Sequence, residues 1–201
     1  MAVFLDEDQI GSDAGMIGYP HLLLCMGVTV VMSDGSLIGA HVSNADTEQQ
    51  VMGRLLQDIT AHGGAMSQLY CAANVAEHVG RHGCGDITAK ANMLGFHGPG
   101  YLFDFNYIKP KDGAYVEVSS NGAAHAATLR FKRNEKVAYT VTGAGPQVTK
   151  ATKNFFGVPK TYTQASNAVA ATGKAKTLFG KVYGQHQIKT VPASSLTTFA
   201  F

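Results

Sequence analysis

The chain has no tryptophan, three cysteines, and charged residues at only 15 % of its 201 positions. So few charges, beside 23 glycines, exclude a charged disordered chain or a coiled coil and point to a turn-rich protein containing β-structure. An odd number of cysteines, Cys25, Cys71 and Cys84, excludes a fully paired disulfide framework. The start has no basic segment; Asp6, Glu7 and Asp8 stand there instead, so no classical signal peptide is expected. The setting implied is cytoplasmic, or a target cell entered without such a peptide. The longest apolar run, residues 22–32, has about half the length a bilayer-crossing helix needs, so no membrane partner is expected. Phosphate loops, dinucleotide glycine fingerprints and Ser-centred nucleophile elbows are also missing.

What is present is unevenly spread. Residues 1–100 carry ten acidic side chains and three basic ones, whereas residues 101–201 carry four acidic and thirteen basic. That asymmetry suits an interaction face for an acidic protein or nucleic acid, or a lysine-rich solvated surface. The length suits one domain with a substantial core.

The chain is organised around a hairpin. Residues 22–32 are dense in Val and Leu, and 37–42 follow after Asp34-Gly35, a pair suited to a tight turn. The register decides whether Cys25 and His41 meet. With a two-residue loop His41 faces Val28, and Cys25 lies on the other face. With a three-residue loop, or a bulge at Gly27 or Gly39, His41 faces Gly27 and Cys25 is its diagonal neighbour, roughly 7–8 Å away at the backbone. A paired imidazole takes the thiol proton and holds the thiolate, which attacks an amide carbon. The same residues also read as a small core hydrophobe and a satisfied strand histidine.

Along the rest of the chain, residues 1–5 suit a short strand and 9–20, rich in glycine, an ordered loop. Thr47 with Gln50, or Asp46, caps a helix with Val51, Leu55 and Ile59 on one face, ended by Gly63-Gly64. Residues 66–75 read as a strand, and Asp86 caps a second helix ended by Gly95. Tyr101, Phe103, Phe105 and Tyr107 alternate as one strand face. Residues 114–119, 124–131 and 136–142 form a meander, with Asn121-Gly122 as one turn. Residues 148–156 and 163–171 read as short helices. The expected fold class is α/β, a layered, sandwich-like mixed or antiparallel sheet with helices packed on it.

A Cys opening one strand, a His sixteen positions later on its partner, and a helix and strand after them resemble the CheD-like glutamine deamidases. Their fold is shared by the catalytic domain of cytotoxic necrotising factors. Residues 47–75 are similar to the family's helix and following strand, and Tyr70-Cys71-Ala72-Ala73-Asn74-Val75 to its small-residue strand ending. The resemblance spans residues 18–142. It implies a CheD-like architecture, with a catalytic domain at 1–145 and a basic extension, 146–201, packed on the same domain. It also implies a thiol-dependent protein glutamine deamidase converting Gln to Glu, with Cys25 as nucleophile and His41 as base and then acid. The partner implied is a protein carrying a reactive glutamine; neither metal nor organic cofactor is implied. The basic tail suits an effector or toxin. Two departures stand out. Leu23 and Leu24 replace the Gly and Ser the family places before its Cys. Tyr19 replaces the Thr six positions before it, so His41 is oriented by Tyr19, a backbone carbonyl or Asn44.

Two rival constellations remain. Cys71, His78, His82 and Cys84 hold donors for zinc, but in an order that matches no common finger. A non-enzymatic binding module would use the basic second half, with Phe103, Tyr107, Phe131 and Tyr139 stacking on nucleic acid or an acidic protein.

Overall fold

A computed structural model describes residues 2–106, 113–120, 127–133 and 188–201, and the backbone of four strands between 139 and 176. It is a mixed α/β fold with two mixed sheets. The first sheet runs β1 (Ala2–Phe4), β3 (Met16–Leu22), β8 (Ala114–Ser120), β9 (Ala127–Arg133), β14 (Lys189–Thr190). The second runs β15 (Thr197–Ala200), β7 (Pro99–Asp104), β6 (Met66–Ala73), β4 (Met26–Met32), β5 (Leu37–Val42), β2 (Ile10–Asp13). Pairing is parallel at β1–β3 and β6–β7 and antiparallel at the other junctions of both sheets.

Each face of the second sheet is covered by its own core. Met26, Val28, Val30 and Met32 of β4 point to one side. There they meet Val51, Leu55 and Ile59 of α1 (Ala45–His62) and Ile87, Ala91 and Leu94 of α3 (Ile87–Leu94). Val31, Leu37, Tyr70, Ala72 and Phe103 point to the other side, against Ile17, Tyr19, Val116, Val118 and Leu129 of the first sheet. β4 is buried on both faces and so carries no solvent-facing polar row; its one polar side chain, Thr29, is buried against the Tyr19 hydroxyl.

Several local expectations differ from the structure. Residues 9–20 contain β2 and most of β3 rather than a loop. Their glycines answer close packing: a Cβ on Gly18 would stand 2.7 Å from Phe4. Leu22 ends β3 in the first sheet, so the hairpin's first arm begins at Met26, and residues 23–25 cross between sheets. Helix α1 starts at Ala45 because the Asn44 side chain caps it, accepting from Asp46 N at 3.1 Å. Residues 75–80 form a short helix, α2 (Val75–Gly80). Residues 148–155 are strand rather than helix: β11 (Gln147–Phe155) pairs antiparallel with β12 (Val158–Ala165), which also takes in 163–165, while 156 and 166–171 lie outside the described residues. Thr149, Thr152, Thr161, Tyr162 and Thr163 explain this, since β-branched and aromatic residues favour strands. β10 (Tyr139–Thr140) pairs with β13 (Ala175–Lys176). The turn expected at Asn121-Gly122 lies outside the described residues. Near the C-terminus, β14 joins the first sheet and β15 edges the second.

Candidate active site

Gly27 pairs with His41 across β4 and β5, and Cys25, which precedes β4, lies with the Tyr19 ring on the His41 side of the sheet. That face looks toward the first sheet, where Cys25 packs with Tyr19. Gly27 and Gly39 mark close approach: a Cβ on Gly27 would lie 2.7 Å from the Tyr19 ring, and one on Gly39 would clash with its hydroxyl. Tyr19 therefore lies flat over the hairpin, its ring edge-on to His41 with centroids 6.2 Å apart.

The Tyr19 hydroxyl does not reach for His41. It donates to the Val28 carbonyl at 2.7 Å and accepts from Thr29 Oγ1 at 2.6 Å, and burial keeps it protonated. His41 is oriented by a backbone carbonyl instead: Nδ1–H donates to Leu5 O at 2.8 Å. Its own backbone is gripped by the preceding loop, with Asp8 N donating to His41 O at 2.7 Å and His41 N to Gln9 O at 3.0 Å. Asp8 pins that loop, its Oδ1 accepting from Ser43 N, Ser43 Oγ and Thr47 Oγ1 at 3.1, 2.8 and 3.1 Å. Asn44 is occupied as the α1 cap.

A carbonyl only accepts, so the hydrogen sits on Nδ1 and the neutral ring leaves Nε2 with a lone pair. His41 is fully buried, and Nε2 has no hydrogen-bond partner among the described residues. Burial lowers its pKa, against the Leu5 bond and the carboxylates of Glu7, Asp6 and Asp8. Burial also pushes the Cys25 thiol well up, and Glu7 and Asp8 push the same way, against a hydrogen bond from the Leu24 backbone. Burial thus favours the neutral form of both groups, unlike the thiolate–imidazolium ion pair of a paired Cys and His. The reason is enclosure: Cys25 is 5 % exposed.

No family model and no curated protein matches this chain.

What the site can do follows from its own atoms. A neutral thiol and a neutral imidazole with a free lone pair suit general-base activation of sulfur as it attacks. A second histidine, His78 of α2, lies beside them; its spacing along the chain marks it only as a member of the rival zinc cluster. It is fully buried, its Nδ1–H donates to Leu24 O at 2.9 Å, and its Nε2 has no partner among the described residues. Burial lowers its pKa to about 4, with Lys90 acting in the same direction. Cys71 faces the helices, in the other core. Among the described residues no three His, Cys, Asp or Glu side chains converge as a metal-ligand set.

The loop after α2 is clamped by a buried ion pair between Glu48 of α1 and Lys90 of α3. Glu48 accepts from Gly85 N at 2.9 and 3.1 Å, and Lys90 Nζ donates to Gly85 O at 2.8 Å. A separate Ser–His–Asp group at the hairpin tip is no hydrolytic triad. One nitrogen, His62 Nε2, meets both Ser36 Oγ at 2.9 Å and Asp34 Oδ2 at 3.0 Å, so no proton can be relayed.

Proposed function

We propose that this protein is a cysteine-dependent glutamine deamidase of CheD-like architecture, acting on a glutamine side chain of another protein. The observation that supports it is the state of His41: Nδ1–H committed to Leu5, and Nε2 without a partner among the described residues, on the side of the sheet where Cys25 packs. In this reading Cys25 loses its proton to His41 Nε2 as sulfur bonds to the amide carbon. The tetrahedral oxyanion is held by backbone N–H groups near Cys25, each worth about 3–4 kcal/mol where such donors have been removed elsewhere. The C–N bond breaks, and the nitrogen leaves as ammonia with the proton from His41. Water then attacks the thioester, giving one proton to His41, which returns it to sulfur as glutamate is released. Tyr19 contributes by packing, as the base of the His41 ring. The basic second half suits an effector acting on a foreign protein.

The test is incubation with target-cell lysate and mass-spectrometric mapping of Gln-to-Glu conversion. Wild type converts defined glutamines. Cys25→Ser falls to background, because a serine alkoxide is far harder to generate. His41→Ala loses about 10²–10⁴-fold, the span of general acid–base contributions. Equal conversion by wild type and Cys25→Ser would sink the reading.

One observation favours a second reading, a binding module for acidic ligands. A cavity of about 710 Å³ is lined by Lys132, Arg133 and Lys189 with Asp104, Phe103 and Phe131. Phe103 and Phe131 pack on each other with centroids 5.0 Å apart, so they serve as a wall rather than as exposed stacking platforms. Ligand binding that weakens steeply with salt and ignores Cys25→Ser would favour this reading.

A further inference from the structure

The Leu24–Cys25 peptide is a planar unit with two ends. Its carbonyl, Leu24 O, accepts from His78 Nδ1–H at 2.9 Å. Its other end is the Cys25 N–H, which lies outside the β4 pairings with β5 and β6, both of which begin at Met26. Fixing the carbonyl of such a plane fixes the direction of the N–H.

His78 is well mounted for this. His78 N donates to Asn74 O at 2.9 Å, Cys84 N donates to His78 O at 3.2 Å, and Val75 N donates to Asp104 Oδ1 at 3.2 Å, tying the helix start to β7. The loop beyond is clamped by Glu48 and Lys90 through Gly85. The imidazole also carries a cost, since its buried Nε2 has no partner among the described residues. An apolar ring would fill the same space without that cost, so what the histidine adds is its Nδ1–H.

We propose that His78 is a positioning residue, holding the Leu24 carbonyl so that the Cys25 backbone N–H points at the oxyanion formed when Cys25 attacks a carbonyl. This rests on the reading of Cys25 as a nucleophile. It assigns His78 no contact with substrate and separates its task from that of His41, which handles the proton.

The test compares two reactions of Cys25, each followed by mass spectrometry on the intact chain. p-Nitrophenyl acetate transfers its acetyl group to sulfur through an oxyanion, releasing p-nitrophenolate while the thiol proton passes to His41. Iodoacetamide alkylates the same sulfur by displacing iodide, with no oxyanion. His78→Phe keeps a ring but has no donor; in His78→Asn the side-chain amide stands near the position of Nδ1. The expectation is acylation slowed about tenfold or more in His78→Phe and restored to within about threefold in His78→Asn, while alkylation changes less than about threefold in both. In the wild-type protein, ¹⁵N spectra should show His78 as the Nδ1–H tautomer, a readout that needs no variant to fold. An Nε2–H tautomer, two reactions slowing together, neither slowing, or no restoration by Asn overturns the proposal. If the contrast holds but no glutamine is converted, the deamidase reading alone fails. A wild-type Cys25 inert to p-nitrophenyl acetate ends both.

Discussion

Two buried histidines, His41 and His78, share one hydrogen-bonding pattern: Nδ1–H on a backbone carbonyl and Nε2 without a partner among the described residues. The carbonyls belong to Leu5 and Leu24, residues with no polar side chain, so nothing in the order of residue types marks them as orienting groups. His78 has a measurable consequence. Its folded pKa, lowered to about 4, lies below the unfolded value near ~6.5. Below that value the unfolded chain binds the proton more readily, so stability is intact at neutral pH and falls as pH drops from about 6.5 to about 4. The loss from this one residue should approach roughly 3 kcal/mol at the low end. Denaturant titrations at pH 7 and pH 4.5 should show it, and His78→Phe should flatten the difference. His41, also lowered, adds a loss of the same sign.

At the scale of elements, the β4–β5 hairpin and the Tyr19 ring of β3 form one unit. Gly39→Ala would drive a methyl into the Tyr19 hydroxyl and against Val28 O, 3.0 Å from the new Cβ. Overpacking of this kind costs about 1–3 kcal/mol. Removing the hydroxyl in a Tyr19→Phe background should relieve part of it, so thermal unfolding of the two single variants and the double should reveal non-additivity. Strict additivity would mean that the two side chains do not meet. The same contact explains why Gly27 and Gly39 were legible from composition only as bulge or close approach. Which of the two applies depends on a ring that arrives from another sheet.

At the scale of the molecule, β4 and β6 are the central strands of the second sheet, covered on one face by the helices and on the other by the first sheet. Their amides at 28–31 and 69–72 should exchange most slowly, near the global unfolding limit, and those of β14 and β15 at the edges much faster. Hydrogen exchange read by mass spectrometry checks this order; fast exchange in β4 would contradict the layering. No helix among the described residues is long and apolar enough to cross a membrane. By itself the amino-acid order determined the α/β class, the Asp34-Gly35 hairpin, the apolar face of α1, the Asp86 cap and Gly95 end of α3, and the Tyr101 and Phe103 part of the expected aromatic strand face; β7 ends at Asp104, before Phe105, and Tyr107 lies outside the described residues. Each of these is written in local periodicity or turn chemistry. Only the tertiary structure decided the His41 register, the Leu5 carbonyl that orients it, the neutral state of Cys25, and the place of His78 beside it. Those depend on which strands lie next to each other and on what burial excludes, and spacing along the chain does not encode either.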